Sequence, residues 1–337
     1  MRLLVVLAAL VALAAACGSA ETLPASPSAS VSRTPTAVPD DNDGTSVSVG
    51  AKPWGIAFDA RSRRLYTANE GANTISVVDA DTLQVIATIP AESGPSAVAV
   101  NTKTGRVYVT NAFSNSVTVV DPKTDTVAAT VKVGRQPWDV AVDSESGRVY
   151  VANAESDDIS VIDGASDKVI DKLDAGEEPW GVAVPPGGGT LYVASAAEQS
   201  VNVVDLSSGE VTDRIPVGAR PRGLAVVAEA GRLYVTNTED GSVSIIDLQQ
   251  REVIATVPVG DYPLAAAADT ETGDVYVANT FDDSLSVIDG GSGEVIATVP
   301  TGTHQPWDLA VSGKDSRVYV ASSGSSNITV IDAKAGR

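Results

Sequence analysis

The four tryptophans of this 337-residue chain all occupy one kind of position, directly after a proline. An indole ring can stack on a sugar, an aromatic group or a cation, so four of them in equivalent places could build a recognition surface. They are Trp54, Trp138, Trp180 and Trp307. The same position elsewhere holds Ser96, Arg222 and Leu264. This variation favours ligand recognition, and the alternative is that each indole packs on its proline as a structural plug.

The single histidine, His304, lies three residues before Trp307, in a segment one residue longer than its counterparts. Four steps separate Gly302 from Pro306, whereas three separate Gly260 from Pro263. A histidine here could act as a general base or a single metal ligand. A solvated surface side chain is the other interpretation, because no partner lies nearby in sequence.

Composition excludes several kinds of chemistry. The single cysteine, Cys17, and the single histidine are too few for a structural zinc site, an internal disulfide or a catalytic Cys/His pair. The formal net charge of −20 opposes the phosphate neutralisation that nucleic-acid binding requires. We therefore expect no nucleic-acid partner and no cofactor, with a divalent cation left open. The charge fits a monomer that repels its copies, or a basic partner.

The N-terminus has the pattern of a targeting segment. Residues 3–16 form an apolar run behind Arg2, with the length of a signal-peptide core rather than a membrane span. The run ends in Ala14-Ala15-Ala16-Cys17, which resembles the lipobox of bacterial lipoproteins, although Leu is commonest where Ala14 stands. The resemblance implies a signal peptide over 1–16, lipidation of Cys17 and anchoring to the cell membrane outside the cytoplasm. Ordinary signal-peptide cleavage is the alternative. Residues 17–44, rich in Ser, Thr, Pro and Ala, are expected to be a disordered tether.

From residue 45 the chain is a repeat. Tyrosines recur every 42 residues from Tyr66 to Tyr276 and once more at Tyr319. An aspartate follows each of them 13 residues later, from Asp79 to Asp332, and a proline precedes each. Seven copies in register indicate seven copies of one structural unit.

Each unit contains four short runs rich in β-branched residues, separated by turn residues, which predicts four strands. Such a unit cannot bury two apolar sheet faces alone, whereas sheets stacked radially bury both. The first run of each unit has the smallest side chains and is expected to lie nearest the axis, where the sheets converge. The fold class is therefore all-β, a seven-bladed β-propeller over 45–337 with four-stranded antiparallel blades. We expect residues 45–50 to pair in the last blade and close the ring, with an open solenoid as the alternative.

The second run of each unit carries a further resemblance. Residues 108–111 and 234–237 read YVTN, and the other units are close variants, two of which end in Ser. The chain resembles the YVTN-repeat β-propeller family throughout 45–337. That resemblance implies a secreted or cell-surface propeller without implying one activity, because propellers of this kind serve as binding, surface-layer and enzyme domains.

Two sets of loops are expected to share one face of the propeller: those between blades and those joining the second and third strands. The latter carry scattered acids, and Phe113 and Phe281 occupy equivalent places in them. The candidate ligand face comprises Trp54, Trp138, Trp180, Trp307, Arg222, His304, Phe113 and Phe281.

No catalytic motif accompanies this face, because the chain has no His pair, nucleophile elbow or phosphate loop. The sequence therefore favours a non-enzymatic binding or scaffold module that recognises an envelope protein, a peptide or a glycan. The alternative is a propeller hydrolase, lactonase or lyase with a carboxylate-bound metal. Binding of single-stranded nucleic acid by the aromatic side chains is a third possibility that the negative charge opposes.

Overall fold

The structure is a computed structural model, and it describes residues 45–334. The proposed signal peptide, Cys17 and the tether up to residue 44 lie outside the described residues. Within 45–334, no helix has the length and apolar character needed to cross a membrane. The helical segments of this part are three single 3-10 turns, Glu70–Ala72, Ala228–Ala230 and Gly313–Asp315.

Within residues 45–334, twenty-eight strands form seven antiparallel four-stranded sheets, which confirms the predicted seven-bladed β-propeller. Blades 1 to 7 are numbered here by the order of their first strands. Each first strand begins at the repeat proline. The first strands are β2 (Pro53–Asp59), β6 (Pro95–Val100), β10 (Pro137–Asp143), β14 (Pro179–Ala183), β18 (Pro221–Val227), β22 (Pro263–Ala268) and β26 (Pro306–Ser312).

The second strand carries the repeat tyrosine, and the third strand ends at the repeat aspartate or, in blade 6, one residue before it. The second strands are β3 (Arg64–Asn69), β7 (Val107–Asn111), β11 (Arg148–Asn153), β15 (Thr190–Ser195), β19 (Arg232–Asn237), β23 (Val275–Asn279) and β27 (Arg317–Ser322). The third strands are β4 (Thr74–Asp79), β8 (Ser116–Asp121), β12 (Asp158–Asp163), β16 (Ser200–Asp205), β20 (Ser242–Asp247), β24 (Ser284–Ile288) and β28 (Asn327–Asp332).

The fourth strands of blades 1 to 6 follow along the chain. They are β5 (Gln84–Pro90), β9 (Thr126–Lys132), β13 (Lys168–Asp174), β17 (Glu210–Pro216), β21 (Glu252–Pro258) and β25 (Val295–Pro300). In blade 7 the fourth strand is β1 (Ser46–Ser48), which pairs antiparallel with β28, Val47 standing opposite Ile328. The strand that the sequence places at 45–50 is thus three residues long.

The core consists of the layers between adjacent sheets. Tyr66 of blade 1, fully buried, packs in one cluster with Val107 and Val109 of blade 2, and each further blade contact has a cluster of the same kind. Two of the repeat tyrosines also donate a hydrogen bond from the hydroxyl to a carbonyl of the next blade, Tyr234 to Gly290 and Tyr276 to Ala333, both at 3.0 Å. Because the second and third strands bury both faces, their sequences are nearly continuous apolar runs rather than alternating ones.

The repeat aspartate, at or directly after the end of the third strand, organises the hairpin to the fourth strand. One carboxylate oxygen of Asp79 accepts the backbone N–H groups of Asp81 at 3.1 Å and Thr82 at 2.7 Å. Asp205 and Asp289 accept two turn N–H groups in the same way. Hydrogen bonds hold the pKa of all three carboxyls below the usual value: the Ser207 hydroxyl has the largest effect on Asp205, and a turn N–H has the largest effect on Asp79 and Asp289.

A buried amide at the end of the second strand ties it to the third. In five blades this residue is an asparagine whose Nδ2 donates to side-chain oxygens of the third strand, as Asn69 does to Thr74 at 3.1 Å and Ser76 at 2.9 Å. The other four are Asn111, Asn153, Asn237 and Asn279. The last residue of the YVTN motif is therefore a structural polar group of the core.

The two blades that lack this asparagine replace its hydrogen bonds differently. In blade 4 the residues are exchanged, since Ser195 stands in the asparagine position and Asn202 of the third strand donates to its Oγ at 3.1 Å. In blade 7, Ser322 takes the position, and the hydroxyl of Thr303 lies 2.7 Å from its Oγ and 3.2 Å from the Thr329 hydroxyl. Thr303 belongs to the lengthened segment, so this segment supplies a hydroxyl where the amide is missing.

Candidate functional site

The segments that join the last strand of one blade to the first strand of the next, here called linkers, share one backbone conformation. The residue before the repeat proline has a positive φ in all seven linkers, and in six of them it is not glycine. They are Lys52, Gln136, Glu178, Arg220, Tyr262 and Gln305, with φ between 49° and 56°. A side chain in this left-handed region costs about 1 kcal/mol, and such strain concentrates at ligand sites.

The residue after the proline occupies a β-bulge. In every blade the pairing of the first strand with the second skips this position, so that Pro137 faces Asn153 whereas Asp139, two residues later, faces Ala152. A bulged residue is released from the alternation of the strand and its side chain is re-aimed. The bulge turns these side chains towards the centre of the ring.

All four tryptophans line one cavity of about 260 Å³, here called the axial cavity. Every residue that lines it comes from a first strand, and all seven blades contribute. This confirms that the first strands lie nearest the axis. Ser96 and Leu264, which occupy the tryptophan position in blades 2 and 6, are buried against the wall.

The indoles form a continuous stack along part of this wall. Trp307 and Trp54 lie parallel with ring centroids 5.1 Å apart, and Trp138 and Trp180 lie parallel at 4.6 Å. Trp54 also reaches across blade 2 to Trp138, at 5.7 Å and a tilt of 38°. Most ring faces are therefore covered by other indoles. Only the Trp180 indole donates to an acceptor within the described part of the chain, the Glu178 carboxylate at 3.0 Å.

Arg222 continues the stack. Its guanidinium carbon lies 3.9 Å from the centroid of Trp180 and 5.5 Å from that of Tyr262. Its neighbour Arg220 instead pairs with Glu178 at 2.6 Å and Glu239 at 3.5 Å. Burial lowers the pKa of Arg222, whose charge is held against the aromatic rings.

Two aspartates also line the axial cavity. Asp139 accepts the backbone N–H groups of Val140 at 2.8 Å and Val182 at 2.9 Å, and so joins blade 3 to blade 4. Asp308 likewise accepts those of Leu309 at 2.8 Å and Ile56 at 2.9 Å, joining blade 7 to blade 1. Burial raises the pKa of Asp139 to about 6 and that of Asp308 to about 7, and the charge of Asp139 adds to the shift of Asp308.

The sequence did not single out these two aspartates, although a signal was present. Both stand two residues after the repeat proline, where the other five blades have Gly or Ala. A small residue is needed there because the next blade approaches closely; a Cβ at Gly181 would overlap the Arg222 carbonyl oxygen. An aspartate at this position in two blades is therefore an exception that could have been noticed. Tyr262 was also missed.

The remaining candidates lie beside the axial cavity rather than in it. The exposed Phe113 contacts the edge of Trp54, with centroids 6.3 Å apart, and the exposed Phe281 stacks on Tyr262 at 4.3 Å. His304 lies in a separate depression together with Phe281. Its Nδ1 is 2.8 Å from Oδ2 of Asp283, so the only histidine has a carboxylate partner that the sequence did not predict. Its side chain is 80% exposed.

Within 45–334 no three His, Cys, Asp or Glu side chains are close enough to hold a metal ion together. The carboxylate-bound cation that the hydrolase alternative requires has no three-ligand site in this part of the chain.

The fold defines the chain as a seven-bladed β-propeller, and comparisons with known proteins agree. Residues 39–148 match the family described as YNCE-like beta-propeller, and residues 210–336 match the family described as Lactonase, 7-bladed beta-propeller. Comparison with curated proteins gives no match. Among solved structures, a chain of Kuenenia stuttgartiensis hydrazine synthase is similar, with a TM-score of 0.76 and 22% identity over 87% of this chain and 99% of that chain. At that identity the likeness concerns the fold alone.

Proposed function

We propose that this protein is a non-enzymatic binding propeller that recognises its ligand, a protein, a peptide or a glycan, at the axial cavity. One observation carries the proposal: the position that varies between otherwise similar repeats is the position that lines this cavity. The four tryptophans, Arg222 and two aspartates meet there from five blades. A purely structural plug would not need two half-buried carboxylates and a guanidinium that has no carboxylate partner among residues 45–334.

The proposal includes a place in the cell. The lipobox-like sequence before Cys17 and the Ser/Thr/Pro/Ala-rich residues 18–44 suit a lipid-anchored protein held away from the membrane on a tether. The repeat motif suits a member of the YVTN-repeat propellers, which are secreted or displayed at the cell surface. Sensitivity of the processing to globomycin, an inhibitor of the lipoprotein signal peptidase, tests the anchor. Maturation that is unaffected by globomycin would contradict it.

Binding can be tested with labelled protein on glycan and peptide arrays. We expect Trp138→Ala with Trp180→Ala to abolish binding of any ligand retained by the wild type, while circular dichroism and the melting curve keep their propeller form. A matched control is Ile170→Ala, which removes an exposed side chain of the outer strand β13. Retention of the ligand by the double variant would contradict a role for the axial cavity, and collapse of the fold would support the plug.

A lactonase-like hydrolase is the second candidate function, because one sequence comparison and one side-chain contact favour it. Residues 210–336 match the seven-bladed lactonase family, and His304 is paired with Asp283 in the same part of the chain. A carboxylate that orients a histidine is a common arrangement for a general base. Hydrolysis of a panel of lactones by the wild type, lost in His304→Gln, would establish this candidate, and absence of turnover would remove it.

A further inference from the structure

Arg222 is a half-buried cation that has no carboxylate partner among the described residues. Among residues 45–334, no Asp or Glu oxygen lies within 4 Å of its guanidinium, and its Nε is buried without an acceptor. Glu178, whose charge acts on Arg222 from the adjoining linker, is already engaged by Arg220 and by the Trp180 indole. Aromatic faces compensate only part of the cost of burying a charge. The axial cavity therefore contains a guanidinium that is ready to receive an anion.

Other donors of the cavity wall also lack acceptors. The indole N–H groups of Trp54, Trp138 and Trp307 have no hydrogen-bond partner within the described part of the chain. The two carboxylates, by contrast, each retain lone pairs after accepting two backbone N–H groups. The wall thus offers one forked cation, several neutral donors and two acceptors that can bind hydroxyl groups.

We propose that the axial cavity binds a uronic acid residue of an acidic glycan, with the sugar carboxylate on Arg222 and the hydroxyls on Asp139 and Asp308. This inference rests on the proposed binding function. A planar carboxylate matches the guanidinium fork, and a monoanion is repelled less by two nearby aspartates than a phosphate dianion would be. A volume of about 260 Å³ accommodates a single sugar ring, rather than a folded segment.

The sign of the pH dependence follows from the charged groups that face Arg222 across the cavity. Asp139 comes from β10 and Asp308 from β26, whereas β2, β6, β14 and β22 contribute no titratable side chain to the wall; Glu178, Arg220 and Tyr262 lie in the adjoining linkers. Protonation of the two aspartates removes the repulsion towards a bound carboxylate. Binding is therefore tighter at pH 5.5 than at pH 8, and a cationic ligand would have the opposite dependence.

Fluorescence of the full chain reports on this site without a label, because all four tryptophans line it. The probes are D-glucuronate, neutral D-glucose, glucose 6-phosphate, N-acetyl-dialanine and tetramethylammonium. We expect a saturable change with glucuronate, and an affinity about tenfold to a hundredfold above that for glucose, the effect of a charge-assisted hydrogen bond. Arg222→Gln should remove this preference. Arg214→Gln, which removes an exposed cation on β17, should keep it.

Several outcomes would overturn the inference. These are equal binding of glucuronate and glucose, stronger binding of the phosphate ester, the dipeptide or tetramethylammonium, or affinity that rises with pH. If Arg222→Gln does not fold, the inference is tested on the wild type alone, by the pH dependence of glucuronate binding and by the order of affinities for the probes. Array binding that depends on Trp138 and Trp180 but not on a carboxylate would leave the proposed function standing and refute this inference alone. Absence of any ligand in both experiments would refute both.

Discussion

The exchanged amide of blade 4 gives a quantitative test of how the repeat is held together. Asn202 Nδ2 lies within 2.9 Å of the Ala175 carbonyl oxygen, 3.1 Å of the Ser195 hydroxyl and 2.7 Å of a Glu198 carboxylate oxygen. Asn202→Ser removes these contacts in a site where Ser195 and Asn202 are fully buried. At about 1 kcal/mol for each lost hydrogen bond, we expect a destabilisation of about 3 kcal/mol.

The opposite single substitution, Ser195→Asn, should also destabilise the protein, but for a different reason. Ser195→Asn places two amides in a space built for one, and overpacking of a close-packed core costs about 1–3 kcal/mol. The double variant, Ser195→Asn with Asn202→Ser, recreates the arrangement of the five asparagine blades. It should recover most of the loss, with a coupling energy of about 2 kcal/mol or more between the two positions.

The assay is equilibrium unfolding in urea, supported by thermal melting, in which each kcal/mol corresponds to about 2 °C for a chain of this size. The reciprocal exchange in blade 5, Asn237→Ser with Ser244→Asn, is the matched control and should behave in the same way. Additive effects of the two single substitutions in blade 4 would show that the amide and the hydroxyl do not act as a pair, and the explanation of the motif would then be wrong.

Three further predictions concern the linkers, the cavity and the ring. Gln136→Gly should stabilise the protein by about 1 kcal/mol because it relieves a positive φ, and a lower melting temperature would contradict the strain. The carboxyls of Asp139 and Asp308 have pKa values raised above the unfolded value, so the folded state binds more protons between about pH 4 and pH 7 and their contribution to stability falls as pH rises through that window. Urea titrations at pH 4.5 and pH 7.5 should show that the free energy of unfolding of the wild type falls as pH rises, and that this fall is smaller in the double variant Asp139→Asn with Asp308→Asn. An equal fall in both proteins would refute the prediction. Deletion of 45–50 should lower the melting temperature because it exposes the edge of β28, and an unchanged value would contradict closure of the ring by β1.

The number of blades and their strands could be read from the sequence because each repeat carries the same local information. A tyrosine and a proline at fixed offsets mark the second and first strands in every unit, and an aspartate marks the hairpin in the first six units. Turn chemistry acts over a few residues, so the role of Asp205 or Asp289 in its hairpin needs no knowledge of distant parts of the chain. The common position of the tryptophans was visible for the same reason.

Contacts between blades could not be predicted, because they join residues that are far apart in sequence. The partner of His304 is Asp283 of the preceding blade, and the partner of Ser322 is Thr303 of the lengthened linker. Neither pairing has a local signature. The sequence shows the lengthened segment only as an irregularity near the histidine, whereas the structure connects it to a missing asparagine.

Seven repeats of one pattern, each unable to bury its two sheet faces alone, were enough to determine the architecture from the sequence by itself. The axial cavity was decided only by the tertiary structure. Trp54 and Trp138 are neighbours because blade 2 presents a serine between them. Asp139 and Asp308 have raised pKa values because the assembled blades desolvate both carboxyls at the wall of the axial cavity. Burial and distance across the axis are properties of the assembled ring, and no single repeat contains them.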